Sequence, residues 1–115
     1  MSRRYAINSS DPDFVDFVES DPLQSRRVPV AWVRALRRWQ ASLPRRDLGV
    51  GPAMVVQGDA DTTVDWRYNL PVIERLFPGC TTEMLAGAGH HLANESPALR
   101  ERYLQTVGQY LAGGA

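Results

Sequence analysis

The chain has 115 residues, enough for one hydrophobic core and no more. It is 43% hydrophobic and 23% charged, outside the ranges of disordered, collagen-like and coiled-coil sequences. Thirteen basic residues, all Arg, balance thirteen acids, and a net charge of zero argues against a surface built to neutralise nucleic-acid phosphates.

The start, Met1 to Ile7, contains Arg but is not followed by the apolar stretch of a secretory signal. No apolar run approaches the roughly 20 residues a membrane span needs, so stable membrane insertion is not expected. Cys80 has no second cysteine to pair with, which fits a reducing compartment and an expected cytoplasmic location.

Along the chain, Ser10-Asp11-Pro12 offers a capping residue beside a Pro, and Phe14, Val15, Phe17 and Val18 follow at helical spacing until Asp21-Pro22. A turn over residues 24–28 leads to Pro29, which can start a second helix. One stripe of that helix is Trp32, Val33, Leu36 and Trp39; the other face carries Arg34, Arg37 and Arg38. The Pro- and Gly-rich connector from Leu43 to Pro52 stops helix and ladder alike. It also marks a change of charge: residues 1–46 hold nine Arg against five acids, and residues 47–115 hold four Arg against eight acids. The expected division is therefore a helical segment over 1–46 and an α/β unit over 47–115.

In the second part, Ala53 to Gln57 is an apolar run ended by Gly58, the pattern of a strand buried on both faces. A helix capped by Asp65 should run to Phe77, where Pro78-Gly79 stops it. A second strand, Thr81 to Leu85, precedes the turn Ala86-Gly87-Ala88-Gly89, and a last helix runs from about Ser96-Pro97 to Leu111. Helical crossovers join parallel strands, so this order predicts the edge of a parallel α/β sheet. Two strands and two helices cannot cover such a sheet, and something must pair with its open edge.

Ligands of open α/β sheets bind beyond the carboxyl ends of the strands. Both polar clusters fall there: Gly58-Asp59-Ala60-Asp61-Thr62-Thr63-Val64-Asp65 after the first strand, and Gly87-Ala88-Gly89-His90-His91 after the second. A carboxylate and an imidazole on neighbouring strand ends form the orienting half of a nucleophilic triad, in which the acid fixes the tautomer and the His moves the proton. A lone Asp after a strand more often caps the next turn, and a lone His is more often structural; the pairing of the two clusters favours chemistry. Asp59, Asp61, Asp65, His90 and His91 also offer carboxylate and imidazole donors for Mn or Zn, but their spacing matches no strong metal signature. No metal or cofactor is expected. His91 and Cys80 read as packing residues.

The stretch Val55 to Asp65, followed by Leu85-Ala86-Gly87-Ala88-Gly89-His90-His91-Leu92-Ala93-Asn94-Glu95, resembles the C-terminal end of α/β-hydrolases of the monoacylglycerol lipase, lysophospholipase and serine aminopeptidase group. The resemblance is strongest over residues 53–95. It implies the C-terminal β-α-β-α portion of a hydrolase sheet, preceded by a helical cap over residues 1–46. It also implies that the acid of the triad is Asp61, the last position of the Gly-x-x-Asp motif, and that the base is His90. A cap helix in such an enzyme would line an acyl-chain pocket, here with Trp32, Leu36 and Trp39; simple core packing is the alternative reading of the same stripe.

The pattern lacks its nucleophile. None of Ser2, Ser9, Ser10, Ser20, Ser25, Ser42 or Ser96 sits in a Gly-x-Ser-x-Gly elbow. The resemblance therefore implies a truncated or split serine hydrolase, inactive alone, which would act on a lipid or small ester when joined by an N-terminal hydrolase part. The competing expectation is a non-catalytic interaction or homodimerisation module that uses the open sheet edge and the Trp-rich helix.

Overall fold

The computed structural model describes residues 8–25, 27–51 and 53–113, so Met1 to Ile7, Arg26, Pro52, Gly114 and Ala115 lie outside the described residues. Helix α1 spans Pro12–Ser20, and its N-cap is Asp11. The Asp11 carboxylate accepts from the free backbone N–H groups of Asp13 and Phe14 in the first turn, and Pro12 starts the helix where a missing N–H costs nothing. Helix α2 spans Val30–Ser42, with Pro29 at its N-cap.

Strand β1 is Met54–Gly58, helix α3 is Trp66–Leu76, strand β2 is Thr81–Leu85, and helix α4 is Pro97–Gly113, with a single 3-10 turn at Leu92–Asn94 before it. Asp65 caps α3 by accepting from Tyr68 N–H. The two strands pair in parallel with Met54 opposite Thr81 and Gly58 opposite Leu85. The fold is thus mixed α/β around a two-stranded parallel sheet joined by a helical crossover.

That register does the work of positioning. Because Gly58 and Leu85 end their strands side by side, everything within a few residues after them emerges at one rim.

One expectation fails. Strand β1 is not buried on both faces: Met54 to Gln57 are only half-buried, and Gly58 alone is fully covered. Helix α4 packs across both strands, but none of its side chains is buried. The buried apolar residues among those described are Leu76, Leu85 and Ala88. A single helix laid on two strands cannot enclose a layer of aliphatic side chains, which accounts for the difference.

The rest of the surface repeats this. The chain exposes 8533 Å², where a compact protein of its mass exposes about 6,300 Å². Its radius of gyration is 16.3 Å, against about 13 Å for a compact domain of this length. Trp32 and Trp39 on α2 are 57% and 58% exposed.

The sheet edge can be read residue by residue. Thr81 N–H donates to the Ala53 carbonyl, and in a parallel ladder alternate residues of a strand bond to the same neighbour. The backbone groups of Met54 and Val56 therefore face away from β2, and among the described residues β1 has no second neighbour in the sheet. No helix among the described residues is long and apolar enough to cross a membrane.

Candidate functional site

The loops after β1 and β2 are tied together by three hydrogen bonds. Asp59 N–H donates to the Leu85 carbonyl at 3.2 Å and Ala60 N–H to the Ala88 carbonyl at 3.0 Å. In return, the Asp59 carboxylate accepts from Gly87 N–H at 2.7 Å. Asp59 thus shapes the glycine turn that presents His90.

Asp61 faces His90 across this junction, with His90 Nδ1 2.9 Å from Asp61 Oδ2. The Asp61 side chain is only 2% exposed and that of His90 is 37% exposed. The other carboxylate oxygen, Oδ1, accepts from Thr63 N–H at 2.7 Å and Val64 N–H at 3.3 Å, and Gln57 Nε2 donates to Oδ2 at 3.3 Å. Asp61 therefore caps the turn before α3 with one oxygen and holds His90 with the other.

Burial works against ionisation of Asp61, but the hydrogen bonds from His90, Thr63, Gln57 and Val64 outweigh it and hold the carboxyl below its ordinary range. An ionised carboxylate only accepts, so the proton of the shared bond sits on His90 Nδ1. In the neutral ring, Nε2 then carries the lone pair, and among the described residues no hydrogen bond occupies it. This is the protonation state a general base requires.

A second buried carboxylate, one the sequence reading left without a role, supports the His loop. Glu95 is 0% exposed. Its Oε1 accepts from Gly89 N–H, and its Oε2 accepts from Ser10 N–H, the Ser10 hydroxyl and Ser96 N–H. Here too burial opposes the charge, and the bonds from Ser10, Gly89 and Ser96 prevail, so the Glu95 carboxyl is also held below its ordinary range.

The segment Asn8 to Ser10 completes the arrangement. The Asn8 carbonyl accepts from His91 N–H at 2.8 Å, the Asn8 side chain accepts from the Thr63 hydroxyl, and Ser9 Oγ donates to the Asn94 carbonyl at 2.6 Å. A Cβ on Gly89 would sit 2.6 Å from the Asn8 carbonyl oxygen, so this close approach requires glycine. His91 packs against Phe14, with ring centroids 5.5 Å apart, and meets His90 edge-on.

The remaining sequence candidates fall elsewhere. Trp39 lines a cleft of about 700 Å³ between α2 and α3, together with Leu43, Leu48, Tyr68, Val72 and Phe77. Neither Trp32, Leu36, Asp61 nor His90 lines it. Asp65 is occupied as the α3 cap, and among the described residues no group of three or more His, Cys, Asp and Glu side chains is placed to hold a metal ion. Cys80 is free and half-buried at the start of β2.

No family model matches the chain, and a search of the curated proteins finds no match.

The two depressed carboxyls make acid stability a direct test. A group whose native pKa is lowered contributes fully above its unfolded value and loses that contribution as pH falls through the native one. Wild-type protein should therefore keep its melting temperature down to about pH 4.5, where carboxyls of unfolded chains begin to protonate, and lose it progressively below. Glu95→Gln, already without that charge, should start lower and show a shallower acid slope in circular-dichroism melts. Parallel slopes would mean that Glu95 ionisation is not coupled to folding.

Proposed function

We propose that the chain is the C-terminal part of a serine hydrolase of the α/β-hydrolase type that cleaves carboxylic esters of lipids or small molecules. In this reading it supplies Asp61 and His90 of a Ser-His-Asp triad, and residues 1–46 form the cap. The observation that carries the reading is the 2.9 Å contact between a buried, ionised Asp61 and a partly exposed His90 whose second nitrogen has no hydrogen bond among the described residues. The motifs Gly58-Asp59-Ala60-Asp61 and Gly87-Ala88-Gly89-His90 support it.

The chemistry follows from that geometry. A serine hydroxyl attacking the ester carbonyl gives its proton to His90 Nε2; the leaving alcohol takes that proton as the C–O bond breaks. Water then repeats the sequence on the acyl-enzyme, with His90 again as base. Asp61 keeps Nδ1 protonated and stabilises the imidazolium. No metal or cofactor enters these steps.

In this reading the serine and the oxyanion donors come from other polypeptide, because no serine of the chain sits in a Gly-x-Ser-x-Gly elbow. Among the described residues no serine hydroxyl reaches His90; Ser9 and Ser10 are engaged with Asn94 and Glu95. The backbone of Met54 and Val56, unpaired among the described residues, gives the incoming part a strand edge to join. A cytoplasmic setting suits the free Cys80 thiol.

The test mixes the purified chain with an N-terminal hydrolase part that carries a Gly-x-Ser-x-Gly elbow. The chain alone should be inert toward p-nitrophenyl esters and a serine-directed phosphonate, and the mixture active. Phosphonate labelling of the chain alone would refute the absence of a nucleophile; an inert but stable complex would refute the hydrolase reading.

The open edge also favours a second reading, self-association through β1 and the exposed Trp32 and Trp39 of α2. Light scattering at high concentration should then report a dimer. A monodisperse monomer would eliminate it.

A further inference from the structure

We infer that Glu95 is a positioning residue that sets the register of His90 on Asp61, acting through the strap Asn8 to Ser10. This inference rests on the reading of Asp61 and His90 as a working pair.

His90 lies on a loop with two ends. At the β2 end the loop is held by the strand and by Asp59, which accepts from Gly87 N–H. At the other end, after the 3-10 turn Leu92–Asn94, nothing in the sheet restrains it. Glu95 closes that end: its Oε1 reaches back to Gly89 N–H, the residue just before His90, at 2.5 Å. The loop from Gly89 to Glu95 is thereby clamped at both ends by one side chain.

The other carboxylate oxygen extends the clamp. Oε2 takes both the backbone N–H and the hydroxyl of Ser10, and the strap carrying Ser10 then touches both halves of the pair. Asn8 accepts from the backbone N–H of His91 on the base side and from the Thr63 hydroxyl on the acid side, where Thr63 N–H also donates to Asp61. Asn8 thus spans the junction across which Nδ1 meets Oδ2.

The chemistry of the clamp suits positioning. A fully buried carboxylate surrounded by four donors is held in one orientation, since rotation would strand N–H groups without acceptors. Charge-assisted bonds of this kind are stronger than neutral ones. Glu95 itself hydrogen-bonds neither Asp61 nor His90; its influence passes through Gly89 and the strap. The segment leading into α1 is consequently rooted in the site, so a partner that displaced α1 would loosen His90 as well.

The test reads the shared proton directly in the full-length chain. The wild-type protein should give a low-field His90 Nδ1–H resonance in proton NMR, protected from solvent exchange and lost in Asp61→Asn. Glu95→Gln keeps one acceptor but loses the charge and should speed exchange of that proton by tenfold or more, roughly the effect of one charge-assisted bond. Ser10→Ala deletes a single donor and serves if Glu95→Gln folds poorly; it should speed exchange by about threefold to tenfold with the circular-dichroism spectrum unchanged. Glu95→Asp, too short to span Gly89 and Ser10 together, should not restore protection.

Unaltered exchange in Ser10→Ala and in folded Glu95→Gln would overturn the role assigned to Glu95. The outcome is separable from the hydrolase reading. If the mixture with the elbow-bearing part stays inert while the ring proton still responds to Glu95, the activity falls and the clamp stands.

Discussion

His90→Ala should abolish ester hydrolysis in the complemented enzyme, and Asp61→Asn should lower kcat by about 10⁴-fold, equivalent to roughly 5.5 kcal/mol of barrier. The second substitution is the sharper test because it preserves shape. An Asn side-chain carbonyl at this position can still accept from Thr63 and Val64 N–H, so the turn before α3 should survive. Its amide would face His90 Nδ1 and donate to it. That reverses the tautomer: the proton moves to Nε2, and the nitrogen meant to receive the serine proton is occupied.

The loss should appear in kcat with little change in KM, since neither variant removes a binding contact. Asp59→Asn provides the control two residues away. Asp59 accepts from Gly87 N–H and does not touch His90, so its loss should cost no more than about tenfold. Equal defects in Asp59→Asn and Asp61→Asn would show that the loop matters and the pair does not.

The parts of this site that the sequence discloses are the local ones. Asp11 and Asp65 stand beside Pro12 and Trp66 at helix starts, and each caps the expected helix because its carboxylate needs to reach only two or three residues ahead. The two polar clusters that hold Asp61 and His90 are legible because two short strand-forming runs, joined by one helix, place their successors at a common rim, and the resemblance to α/β-hydrolases singles out these two residues within them. Glu95 is not legible. Read locally it is an acid before Ser96-Pro97, indistinguishable from a solvated helix start, and its burial depends on Ser10, 85 positions away.

The burial of β1 fails for a related reason. The continuous apolar run Met54 to Val56 carries the signature of a strand covered on both sides, but coverage belongs to neighbours, and the described neighbours are β2 and α4. The stripe on α2 behaves in the same way: periodicity places Trp32 and Trp39 on one face without supplying the surface that would cover it.

Gly58→Ala should destabilise the chain by about 3 kcal/mol or more, the upper end of what forced overpacking costs. A Cβ at Gly58 would collide with the Ala88 carbonyl oxygen and lie 2.5 Å from that of Gly89. Both are backbone atoms. The Ala88 carbonyl already accepts from Ala60 N–H at 3.0 Å, so it cannot move aside without breaking one of the bonds that tie the two loops. For a chain of this size such a loss lowers the melting temperature by roughly 12 °C or more.

Gly108→Ala supplies the opposite sign from the same chemical change. Gly108 lies inside α4, and a Cβ there meets nothing within 4 Å. The methyl group should stabilise the helix by about 0.5–1 kcal/mol, because alanine has less backbone freedom to lose on folding than glycine. Thermal melts of the two variants should therefore move in opposite directions. If Gly58→Ala melts with the wild type, the junction between the strand ends is looser than the distances among Gly58, Ala88 and Gly89 require, and the close placement of Asp61 and His90 loses its foundation.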